Sequence, residues 1–180
     1  MRRVMVGVIA AVGLAGLTAG TTVTRAQHAH GGAGAQGHQV AQTCASEFEK
    51  VVGEGRGFGL AFAADQHGYP GPMHVLERKD RLKLTADQEA KARELMHAML
   101  AESRPKSARL LDAEARLRRL FADRAADEAA VRAAVADVER ARSEVRLVHL
   151  LTHLKTRDLL TEAQRRTYHE ARWATLAPAR

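Results

Sequence analysis

His149 and His153 are spaced for chemistry. One helical turn apart, they turn two imidazoles to one face, a workable pair of ligands for a metal ion. Without a metal, the same spacing gives two seam or surface histidines. His74 could add a third imidazole, but Arg78 occupies the position one turn later. Met73, Met96 and Met99 carry flexible, polarizable thioethers. Met96, His97 and Met99 suggest a copper–thioether site, although no further Met-rich cluster follows. His28, His30 and His38 form a looser set near the N-terminus, and Cys44 is the one cysteine. Neutral imidazole suits Zn, Cu or Ni as divalent ions, and no motif requires a cofactor.

Other chemistries find little support. The single cysteine excludes an internal disulfide, a redox CxxC and a Cys-based zinc module. No Ser-His-Asp order, HExxH or paired-carboxylate arrangement is recognisable, so the chain reads as a non-enzyme. Aromatics make up only 4%, too few for a base-stacking surface.

Positioning these residues falls to helices. The chain has 180 residues, of which 46% are hydrophobic and 27% charged, as expected of one folded domain. Met1-Arg2-Arg3, an apolar run to Ala19 and small residues at Thr24 and Ala26 read as a secretory signal peptide over 1–26. The run is shorter than the roughly 20 residues of a spanning helix, so no stable membrane insertion is expected after cleavage. Cleavage removes three arginines and no acid, which lowers the formal charge from +7 to +4. Export makes nucleic acid an improbable partner and gives a periplasmic location.

Glycine divides the remainder. Ten glycines lie between Gly31 and Gly71, and none between Pro72 and Arg180. Each glycine in a helix interior costs about 1 kcal/mol relative to alanine. Residues 27–71 are therefore expected to be a flexible Gly- and His-containing segment, with at most a short helix over 44–52. Tyr69-Pro70-Gly71-Pro72 makes a stiff turn into an all-α domain over 72–180.

Within that domain the apolar spacing predicts a short helix over 73–82, then a long antiparallel hairpin, then a short helix carrying Tyr168 and Trp173. A heptad-like seam runs from Ala92 through Leu120 and fails only at Ser103 and Lys106, on either side of Pro105. A kink or short break is expected there. Asp127 suits the N-cap of the second long helix. Its stripe contains Val131, Val135, Val138, Val145 and Val148, broadened by Leu147, Leu151 and Leu154. Two such helices leave apolar surface over, and a homodimer is the simplest cover.

Thr85 and Gln88 fit a capping box, and Thr161 and Gln164 repeat it 76 residues later. Each box follows a leucine: Leu84-Thr85-Ala86-Asp87-Gln88 and Leu160-Thr161-Glu162-Ala163-Gln164. Two such boxes around a long hairpin, behind a signal peptide, resemble the Spy/CpxP family of LTxxQ-motif periplasmic stress proteins. ZraP-like and CnrX-like metal-responsive proteins share the layout. The resemblance covers about 73–175.

The resemblance implies a cradle-like antiparallel dimer. It implies an ATP-independent chaperone for unfolded client proteins, or an envelope-stress modulator acting on a membrane sensor. The alternative it implies is a heavy-metal-binding or metal-responsive sensor. CnrX-like proteins carry a histidine and a second soft ligand one turn apart near the position of His149 and His153, and a histidine pair before the first box. Here Arg78 breaks that second pair after His74. The chaperone reading has its own physical basis. Met73, Met96 and Met99 could contact clients, and residues 72–180 carry 23 basic against 17 acidic residues.

Overall fold

The computed structural model describes residues 31–173. The expected signal peptide, His28 and His30 lie outside that range. Seven helices and no strand occur among the described residues. In chain order they are α1 Gly31–Gly53, α2 Phe62–Asp65, α3 Pro72–Leu76, α4 Lys79–Leu82, α5 Ala86–Ala122, α6 Glu128–Leu159 and α7 Glu162–Trp173. None of the described helices is long and apolar enough to cross a membrane.

The antiparallel pair α5 and α6 is the frame. Thr85 and Asp127 cap their N-termini, with Asp127 accepting from the Ala130 amide at 2.7 Å. At about 1.5 Å per residue, 37 and 32 residues make them roughly 55 and 48 Å long. Leu110 and Ala113 of α5 meet Val138 and Val145 of α6 in one buried cluster. Val52 of α1 completes that cluster, with Phe48 and Leu60 packed against it. Burying each such aliphatic side chain is worth about 1.5–3 kcal/mol. A second cluster of Val75, Leu82, Leu160 and Tyr168 ties α3, α4 and α7 to the open end of the hairpin.

Four expectations meet a different outcome. First, of the kink or short break expected at Pro105, the break is absent: α5 stays helical through it. Proline leaves the Ala101 carbonyl without its helical donor. Ala101 and Pro105 are both exposed, so water can serve that carbonyl and the helix continues. Second, the predicted helix over 73–82 is two short helices, and Lys83 ends the second in a left-handed conformation at φ 50°.

Third, the Gly-rich segment carries a helix from Gly31 onward, well beyond the short one expected over 44–52. Its first part is α1, and residues 54–71 pack as a cover across α5 and α6. Ser103 shows why. Its hydroxyl is fully buried and donates to the Gly55 carbonyl at 2.5 Å. The polar interruption in the heptad seam is the docking point of the cover. Fourth, Leu147, Leu151 and Leu154 do not join the core: they are 56%, 45% and 45% exposed. The cover takes the side of α6 that carries Val148, His149, Thr152 and His153, and the leucines face outward.

Candidate metal centre

Two polar clusters lie near the C-terminal end of α6. In the first, the two Leu-Thr-x-x-Gln boxes meet. Thr85 Oγ1 accepts from the Gln88 amide at 3.1 Å, and Gln88 Oε1 accepts from the Thr85 amide at 3.1 Å. Thr161 and Gln164 repeat the exchange at 3.3 and 2.9 Å. The two glutamine side chains then face each other, each donating to the other's Oε1 at 2.9 Å. Their remaining N–H groups cross over. Gln88 donates to the Leu159 carbonyl at 2.8 Å, and Gln164 to the Leu82 carbonyl at 3.2 Å. Every donor and acceptor of both amides is engaged. The boxes are thus helix caps and, beyond the sequence expectation, a clasp between the two halves of the domain.

The second cluster is a cavity of about 280 Å³ between the cover, α3, α5 and α6. His74, His149, His153, Met73, Met96 and Met99 all line it. The structure therefore brings both candidate sets into one place. Met99 is buried and Met73 and Met96 are half-buried, while His97 is exposed and outside the lining. His38 and Cys44 are exposed on α1, apart from it.

Backbone approach sets the histidines. A side chain at Gly57 would put its Cβ 3.1 Å from the His149 ring, and one at Gly71 would sit 2.7 Å from His153 Nε2. Only glycine lets the cover close on both rings. The Tyr69-Pro70-Gly71-Pro72 turn also delivers the Tyr69 carbonyl, which accepts from His153 Nδ1 at 2.7 Å. That bond assigns the proton to Nδ1 and leaves Nε2 unprotonated. His149 is only 3% exposed, and its Nε2 has no hydrogen-bond partner. A buried polar atom left unpaired costs about 1–3 kcal/mol, so a ligand there would recover that loss.

Burial pushes His149 down to about 4; the nearby His153 adds to this and the Gly55 backbone opposes it. Burial lowers His153 as well, against the Tyr69 carbonyl and the Asp65 charge. Both imidazoles are thus neutral, ligand-ready bases near pH 7.

Asp65 was not foreseen. It is 4% exposed and gathers three partners. The Tyr168 hydroxyl donates to Oδ1, Arg172 Nε donates to Oδ2 at 2.7 Å, and His74 Nδ1 lies 3.5 Å from Oδ1. Burial alone would raise the Asp65 carboxyl, but the contacts with His74, Tyr168 and Arg172 outweigh it and hold it at about 2. Burial and the Asp65 charge in turn raise Tyr168 well above its ordinary value. This network joins α2, α3 and α7 along one wall of the cavity. One signal could have revealed it: Asp65 is the only acid between Glu54 and Glu77.

The cavity can offer two imidazole nitrogens and up to three thioether sulfurs. It does not offer an assembled hard or borderline site. Among the described residues, no group of three or more His, Cys, Asp or Glu is placed to hold a metal ion. His74 is turned toward Asp65, and its ring centroid stands 6.4 Å from that of His153.

The family model for heavy-metal resistance matches residues 56–167. The chain belongs to the heavy-metal resistance family. This is the LTxxQ grouping that takes in proteins of the Spy, CpxP and ZraP type. No curated protein and no solved structure matches the chain. The heavy-metal resistance match begins at Arg56, so it takes in most of the glycine-rich cover as well as both boxes. The cover belongs to the family domain, where the sequence pattern placed it outside.

Proposed function

We propose that this heavy-metal resistance protein is an exported metal-binding protein that senses or sequesters metal in the envelope. The observation that carries the reading is His149: a buried imidazole with an unpartnered nitrogen, in a cavity shared with His153 and three methionines. The apolar run at the N-terminus supports export to the periplasm. Metal titration of the full chain tests it. Stoichiometric binding is expected, and a double variant with His149→Ala and His153→Ala loses it. Equal binding by that variant would show that these two imidazoles hold no metal and overturn the reading.

A second reading keeps the chaperone of the Spy/CpxP branch. It is favoured by the row Leu147, Leu151 and Leu154 on α6, three exposed leucines at helical spacing. The row suits either an unfolded client or a second copy in a cradle-like homodimer. Leu151→Glu separates these. If the row pairs copies, sedimentation shows a dimer becoming a monomer. If it holds clients, light scattering of an unfolding protein in chelator rises toward the level seen without chaperone. An unchanged mass with no suppression by the parent chain rejects this second reading. A membrane stress sensor is the natural downstream partner under either reading.

A further inference from the structure

We propose that the cavity selects a soft monovalent ion, Cu(I) or Ag(I), over Zn(II), Ni(II) and Co(II). This rests on the reading that the cavity holds metal.

The donor set comes first. Met73 of α3, Met96 and Met99 of α5, and His149 and His153 of α6 line one space. Sequence spacing alone groups only Met96 and Met99; the fold adds a third thioether and two imidazoles. Thioether sulfur is a soft neutral donor that suits Cu(I), whereas carboxylate and water suit harder ions. Zinc sites draw instead on cysteine, histidine and carboxylate, commonly four at once. No such group of even three is assembled among the described residues.

Charge comes second. Each of the five donors is neutral. The one carboxylate lining the cavity, Asp65, is already committed to Tyr168, Arg172 and His74. Two guanidinium groups, Arg56 and Arg172, line the same space. The cost of taking an ion out of water grows with the square of its charge, so a divalent ion loses about four times as much as a monovalent one. With no free anion to offset that loss, the cavity favours the lower charge.

The unpartnered Nε2 of His149 is the independent sign that something is meant to bind. His153 Nε2 is unprotonated by the same tautomer argument, because Nδ1 donates to Tyr69. Two neutral nitrogens with thioethers nearby fit an ion that accepts few ligands.

The test is an anaerobic titration of the full chain with Cu(I) against bicinchoninate, with Ag(I) as competitor. Zn(II), Ni(II) and Co(II) are titrated separately against a chromophoric chelator. The expected result is one Cu(I) per chain, displaced by Ag(I), held at least tenfold more tightly than any of the divalent ions. Copper-edge X-ray absorption of the parent chain should show sulfur among the nearest scatterers. A double variant with Met96→Leu and Met99→Leu keeps the side-chain volume and the helices. It should weaken Cu(I) at least tenfold and lower the sulfur signal. Tight divalent binding lost with His149→Ala, with no sulfur scatterer, overturns this inference and leaves the metal reading standing. Cu(I) binding that ignores the methionine changes and shows no sulfur also overturns it. Failure to bind any of these ions sinks both readings.

Discussion

The glutamine clasp joins α5 to α7 and holds the last carbonyl of α6, less than two turns beyond His153, yet it and the histidine cavity are finished differently. At the clasp, Gln88 and Gln164 satisfy each other's amides and two backbone carbonyls. At the cavity, His149 is more deeply buried and one of its nitrogens has nothing. A closed polar network specifies a structure. An open one, in a protein that could easily have placed a leucine there, leaves a donor atom for a ligand, which is the ground of the proposed metal site. The two Leu-Thr-x-x-Gln boxes are therefore structural, and under the proposed reading the chemistry falls to His149 and His153.

The largest expected effect comes from opening the clasp. Gln164→Ala deletes every side-chain hydrogen bond of Gln164, chief among them two with Gln88, one to the Leu82 carbonyl and one from the Thr161 amide. At about 1 kcal/mol each, denaturant unfolding should show a loss of about 3–4 kcal/mol. Thr161→Ala removes only the cap and should cost about 1 kcal/mol. Equal costs for the two would mean that the glutamines act as caps alone and the cross-domain pairing contributes nothing. Neither change touches the cavity, so metal affinity per folded chain should stay constant.

How much of this was visible in the sequence differs between the two regions for a physical reason. The caps are local: Thr85 and Gln88 interact across three residues, so their pattern predicts their geometry. The hairpin is also local, written in apolar spacing. The clasp joins residues 76 apart, and nothing in either box says that the other is its partner. The cavity was half legible. His149 and His153 declared themselves by spacing, but their convergence with Met73, Met96 and Met99 depends on the cover.

The cover is hard to read from its sequence because glycine has two meanings. A run of glycines lowers helix propensity, which suggests disorder. It also allows backbone to lie directly on a side chain, which is the use made of Gly57 and Gly71 against the two imidazoles. Ser103 was the visible hint: a small polar residue inside an apolar seam asks for a polar partner, and the partner is the Gly55 carbonyl.

A smaller effect distinguishes the clasp from the cavity by titration. The clasp contains no ionisable group, so it adds nothing to the pH dependence of folding. The cavity does. His149 takes its proton near pH 6.5 when unfolded but only near 4 when folded. Between those values the unfolded chain binds more protons, so stability falls as pH falls. The contribution is complete above pH 6.5, shrinks toward pH 4 and is gone below it. Its size is on the order of 3 kcal/mol for a shift of this extent. His153, also lowered, titrates in the same direction, and Asp65, Arg56, His74 and Arg172 line the same space. Asp65 acts in a separate window: held at about 2 rather than 3.8, it contributes above pH 3.8 and is lost as pH falls through 2. Urea unfolding of the metal-free protein in chelator, at steps from pH 7.5 to 4.5, should therefore show declining stability. His149→Leu should at least halve that decline without flattening it, because His153 remains. Gln164→Ala should shift the whole curve down and leave its slope alone. A slope that survives His149→Leu intact would mean that the His149 ring already meets water in solution. The unpartnered nitrogen would then be solvated, and the main physical reason for placing a metal there would be gone.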